Sequence, residues 1–78
     1  MKRLNASEAA DIIERFLNEQ SRYPQEWNDF VEGEWVEKPV EAHRKRCYEL
    51  DPLVNRPGGM DPAAVDELRK IVSDLRSK

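Results

Sequence analysis

"NASEAADIIERFLNEQ", residues 5 to 20, decides the fold. Ala9, Ile12, Ile13, Phe16 and Leu17 recur in it at steps of three and four, the period of an amphipathic helix and not of a strand. On a wheel turning about 100° per residue, these side chains and Ala10 fill one side. Glu8, Asp11, Glu14, Arg15, Asn18 and Glu19 fill the other. The spacing predicts a helix over about 7–20. Asn5 or Ser7 stands where a cap belongs, and Glu8 follows Asn5 by three residues, in capping-box register.

Working outward, "DPAAVDELRKIVSDLRSK" at 61–78 repeats the pattern, with Ala64, Val65, Leu68, Ile71, Val72 and Leu75 as its stripe. Asp61 is placed as N-cap, and Pro62 takes the first helical position, where its missing N–H costs nothing. Asp66 and Lys70 stand four apart in the favourable order. A third helix, "KPVEAHRKRCYEL", starts at Pro39 and has a thin stripe of Val40, Cys47 and Leu50, with His43 on the same side. Pro52 is expected to end it, because the residue before a proline is pushed out of the helical region. "PLVNRPGGMD" then reads as a loop, and Pro24 opens a short helical turn that Gly33 stops. "EGEWVEK" reads as extended, without an obvious partner strand. The expected fold is all-α: one domain over 1–78, a small bundle of three main helices at about 7–20, 39–50 and 62–76 plus a helical turn near 24–32.

Seventy-eight residues bury only around 60% of the surface the unfolded chain exposes. Nearly every large apolar side chain is therefore needed by the core. A net charge of −3 with a pI near 5.1 opposes non-specific attraction to phosphate backbones or anionic lipid. The single cysteine, Cys47, has no partner for an internal disulfide, which fits a reducing cytoplasm. The N-terminal residues lack the apolar run of a secretory signal, and no segment nears the 18 or so apolar residues of a membrane span. A cytoplasmic protein with no membrane partner is expected.

The aromatic residues are concentrated. Tyr23, Trp27, Phe30 and Trp35, four of six, lie within "RYPQEWNDFVEGEW" at 22–35. Three narrow helical stripes need bulky side chains between them, which sends Trp27 and Phe30 to the core and requires a polar partner for the Trp27 indole N–H. Tyr23 and Trp35, at the margins beside Pro24 and Gly33, are expected to keep exposed edges.

Candidates for chemistry are few. "HRKR" at 43–46 is basic, but Arg44, Lys45 and Arg46 are consecutive, point about 100° apart and make no common face. Glu41 and Glu49 lie four residues either side of Lys45, in pairing positions. His43 and Cys47, four apart, are two ligands where a structural metal site normally has four. A thiol on a core-facing stripe also sits poorly for attack on a substrate. Asp29 is expected to be held by backbone N–H groups or by Arg22 or Arg44. "RPGG" at 56–59 lacks the lysine, hydroxyl and preceding strand of a phosphate loop. No catalytic residue, metal or cofactor is implied.

At "EWNDF" and "PVEAHRKRC" the chain resembles a group of short, uncharacterised bacterial proteins. In that group an amphipathic first helix leads to a Trp-x-Asp-Phe element and then to a Pro-x-Glu-x-x-Arg-x-x-Cys helix. Here those positions are Trp27, Asp29 and Phe30, then Pro39, Glu41, Arg44 and Cys47. The resemblance covers roughly the first two thirds of the chain. It implies a small helical cytosolic protein and transfers no activity. Where the group carries an aromatic-acidic run before the Trp, this chain has "SRYPQEWNDF", with Glu26 before Trp27 and Asn28 after it.

The expected function is that of a non-enzymatic protein–protein interaction module, binding a protein partner or a second copy of itself. Its surface would include Tyr23, Trp35, Arg44 and Arg46, since Trp and Tyr are favoured interface anchors. A nucleic-acid-associated regulator using the helix around Arg44–Arg46, with Arg56, is the alternative, and the acidic balance opposes it. A bacterial immunity or antitoxin-like protein fits the small acidic profile.

Overall fold

Asn5 and Glu8 start the first helix as the spacing predicts. Asn5 Oδ1 accepts from the Glu8 backbone N–H at 2.8 Å, and Glu8 Oε1 accepts from the Asn5 backbone N–H at 3.2 Å. A computed structural model describes residues 3–77, which form four helices and no strand. Helix α1 runs Ala6–Leu17, three residues shorter than expected at its C-terminus. The reason is a left-handed residue, Glu19, at φ 56°. The Gln20 N–H donates to the Arg15 carbonyl at 2.7 Å and the Glu19 N–H to the Phe16 carbonyl at 3.1 Å, the paired bonds of a Schellman turn. Polar side chains at Asn18 to Gln20 continue the sequence pattern, but the backbone has already turned.

Helix α2, Glu26–Glu32, falls within the expected 24–32 and stops at Gly33, but begins two residues after Pro24. Seven residues do not hold a helix in water, so its stability comes from what it buries. Trp27, Phe30 and Val31 are core, and Glu26 is buried beside them. Glu26 accepts from Arg15 Nε at 3.1 Å, from Arg15 Nη2 at 2.9 Å and from the Arg22 backbone N–H at 3.2 Å. One carboxylate thus straps α1, the following loop and α2 together.

Helix α3, Lys38–Val54, overruns its expected end by a full turn, with Pro52 inside it. Three bonds from outside the helix hold this last turn. The Trp27 indole N–H donates to Asp51, the Asp61 N–H donates to the Leu53 carbonyl at 2.9 Å, and Asn55 bonds Asn28. Continuing the helix carries Val54 into the core, where it is 3% exposed. Burying a valine is worth about 1.5 kcal/mol or more and offsets much of the proline's cost in a terminal turn. The loop is shortened to 55–61, where Gly58 and Gly59 take φ of 91° and 107°. Helix α4, Pro62–Arg76, falls where expected, although the Asp61 side chain makes no capping bond.

The first and fourth helices pack most extensively against each other, α3 lies against α4, and α2 wedges between α1 and α3. Ile13, Phe30, Val40, Cys47 and Leu68 sit at the centre, each at most 1% exposed. Truncating Phe30 to alanine would cost about 3–5 kcal/mol, enough to unfold a domain this small. On the surface, Arg76 of α4 pairs with Asp11 and Glu14 of α1, and Arg46 of α3 pairs with Glu67 of α4. Such exposed pairs fix orientation more than they stabilise. No helix among the described residues is long and apolar enough to cross a membrane.

Candidate functional site

Four aromatic rings follow one another through the molecule. Phe16 and Trp27 stack with centroids 4.1 Å apart and planes 11° apart. Phe30 lies 6.2 Å from Trp27, and Trp35 lies 6.1 Å from Phe30. At one end of the row Phe16 is half-buried, while Trp27, Phe30 and Trp35 are all buried.

Trp35 was expected to be exposed and is 8% exposed. Its indole N–H donates to the Phe30 carbonyl at 3.0 Å, and its backbone N–H donates to Glu41 Oε1 at 3.1 Å. Gly33 permits this fold-back. A Cβ there would lie 3.2 Å from the Trp35 ring and 3.0 Å from the Asp29 carbonyl oxygen. At φ −80° Gly33 is not left-handed; what it supplies is space for the indole.

Arg44 is also not an open surface cation. Its Nη1 donates to the Val31 carbonyl at 3.0 Å, satisfying one of the carbonyls that the end of α2 leaves without a helical partner. Its other nitrogens bind Glu41. Arg44 holds the Glu41 carboxyl below its usual range by hydrogen bonding, and Glu41 raises the Arg44 guanidinium in return. The pair braces the joint between α2 and α3. Arg46 bonds Glu67 and Glu49, so the carboxylates expected near Lys45 serve its two arginine neighbours instead.

Asp29 accepts from the Tyr23 hydroxyl at 3.0 Å, not from an arginine, and that bond raises the Tyr23 phenol above its ordinary value. Burial pushes the Cys47 thiol up to about 12. His43 is half-buried, and no three His, Cys, Asp or Glu side chains cluster to hold a metal ion among the described residues.

Of the expected surface residues, Tyr23 and Arg46 remain on the surface, Tyr23 at 46% exposed. Tyr23 stands on the rim of a groove of about 710 Å³ lined by the half-buried Phe16 with Trp27 beneath it. One wall is the loop after α1, with Arg22, Tyr23 and Pro24. The opposite wall is the end of α3 and the loop after it, with Val54, Asn55, Arg56 and Met60. The volume lies within the range of ligand sites. Arg56 directs its Nε at the Gly59 carbonyl, 2.9 Å away, and no carboxylate engages it among the described residues.

Sequence reasoning missed the opposite wall because it placed 52–60 in an open loop. It also missed Tyr48, which is 56% exposed and adjoins a second hollow between α2 and α3. Neither hollow contains a nucleophile beside a base; the available chemistry is stacking, hydrogen bonding and arginine–carboxylate pairing. No family model, curated protein or solved structure matches this chain.

Proposed function

We propose that this protein is a non-enzymatic binding module that docks on another protein through the groove between the α1–α2 loop and the end of α3. The observation that carries this reading is the half-buried Phe16, backed by the buried Trp27, lining a groove rimmed by the half-exposed Tyr23 and two arginines. A small domain needs its aromatics in the core, so an aromatic ring left at a concave surface marks a place for a partner. The lone thiol is buried and protonated, and Glu26 and Glu41 are held by arginines, which supports binding over catalysis. The unpaired cysteine favours a reducing, cytoplasmic setting.

The test is photo-crosslinking in the native cell, with benzoylphenylalanine at Tyr23 and, as control, at Lys70 on the exposed face of α4. A discrete adduct from position 23 and none from position 70 is expected. No adduct from position 23, in a protein that stays folded, defeats the reading.

A further inference from the structure

We infer that the groove takes an extended segment of a partner protein, gripped along its backbone by the Asn28–Asn55 pair, with an acidic side chain directed to Arg22 and Arg56. This rests on the protein-binding reading above and specifies the ligand.

Asn55 Nδ2 donates to Asn28 Oδ1 at 3.1 Å, joining α2 to the end of α3. One bond between two carboxamides leaves a donor on one and an acceptor on the other, here the Asn28 amide N–H and the Asn55 carbonyl. No other partner engages either group among the described residues. A donor and an acceptor side by side complement one residue of an extended chain, whose N–H and C=O point to the same edge. A helix satisfies these groups internally and has nothing to offer the pair.

The pair also lies at a seam. Asn28 and Asn55 line both the aromatic groove and a second hollow of about 370 Å³ beside Tyr48 and Pro52. A strand meeting the pair edge-on sends successive side chains to opposite sides, one into each hollow. The two hollows differ in charge. The aromatic groove has Arg22 and Arg56 against the single acid Glu19, whereas the second has Glu32 and Asp51 and no cation. The occupant that matches both carries an acidic side chain on the groove side and a basic one on the other. A nucleic-acid strand, negative throughout, would meet repulsion at Glu32.

A random twelve-residue peptide display library selected on the immobilised full chain at physiological salt tests this. Enriched sequences should carry an acidic and a basic residue a few positions apart. Asn28→Ala with Asn55→Ala should weaken them at least about tenfold, the loss of one or two hydrogen bonds. Arg22→Glu with Arg56→Glu should reverse the preference from acid to base, and N-methylation of the clamped peptide residue should abolish binding. All four positions lie outside the buried core, and urea midpoints measured on each variant, with binding assayed where the variant is folded, separate lost binding from lost fold. No enrichment, or peptides indifferent to the asparagine and arginine variants, overturns the proposal. So does tighter binding of a single-stranded DNA twelve-mer, or filling of the groove by a second copy in sedimentation. Crosslinks from Tyr23 together with indifferent peptides would sink the clamp alone; absence of both would sink the binding module as well.

Discussion

The indole Nε1 of Trp27 donates to Oδ1 of Asp51 at 2.6 Å, across two helices and twenty-four positions of sequence. The bond satisfies the polar atom of a ring that is 2% exposed and pins the last turn of α3, where Pro52 supplies no backbone N–H. Asp51→Ala should therefore cost about 2 kcal/mol, the penalty of a buried donor left alone. Asp51→Asn retains an acceptor and should cost less than half of that. Urea denaturation followed by tryptophan fluorescence gives both values, and equal losses would show that the charge, not the hydrogen bond, matters.

Glu26 is kept below its ordinary value of 4.5, first by its hydrogen bond to Arg15, with the Arg22 backbone N–H adding to this against the opposing effect of burial. A carboxyl with a lower value folded than unfolded stabilises the fold above the unfolded value. That contribution disappears as pH falls through the folded one. The domain should lose stability progressively below pH 4.5. Glu26→Gln should cost about 2 kcal/mol at neutral pH, and the gap from wild type should close as the solution is acidified. A gap independent of pH would mean that packing, and not the ion pair, accounts for the loss.

Cys47 has no access to solvent and its thiol is pushed up to about 12 by burial. At pH 8 the folded protein should resist iodoacetamide, and labelling should proceed only through unfolding, accelerating with urea in step with the unfolded fraction. Because the folded value lies above the ordinary 9.0, this group favours the fold below that pH and ceases to do so as pH rises towards 12. Native-state labelling as fast as that in denaturant would place the thiol at the surface.

Glu19 occupies a left-handed backbone position, φ 56°, that glycine fills without strain. Its side chain is exposed. Glu19→Gly should raise stability by about 1 kcal/mol, read as a higher urea midpoint, and Glu19→Ala should give no such gain. Equal effects of glycine and alanine would trace the change to charge.

The helices were legible where their stripes are dense. Ile13, Phe16, Leu68 and Ile71 mark α1 and α4 by period alone, and the Asn5–Glu8 capping box was visible as a spacing. What escaped the sequence lies where tertiary bonds overrule a local signal. Asp51–Pro52 reads as a stop, and three bonds from distant residues carry the helix through it. Trp35 reads as a margin, and its burial depends on the missing Cβ of Gly33. Arg44 resembled part of a basic patch because nothing local reveals that the Val31 carbonyl waits for it. Tyr23 was found by its place beside Pro24, while the Asn28–Asn55 pair left no trace, since an asparagine carries no periodic signal.

The pairing of α1 with α4 also has a consequence for how the cell makes this protein. Helix α1 finds its principal partner in α4, and Arg76 reaches Asp11 across 65 positions. During translation the side of α1 that packs on α4 waits uncovered while α2 and α3 emerge, and the core closes only when α4 clears the ribosome. Closure of the bundle thus waits on its fourth helix, and a chain cut short before α4 has an open apolar face, a substrate for chaperones and proteases.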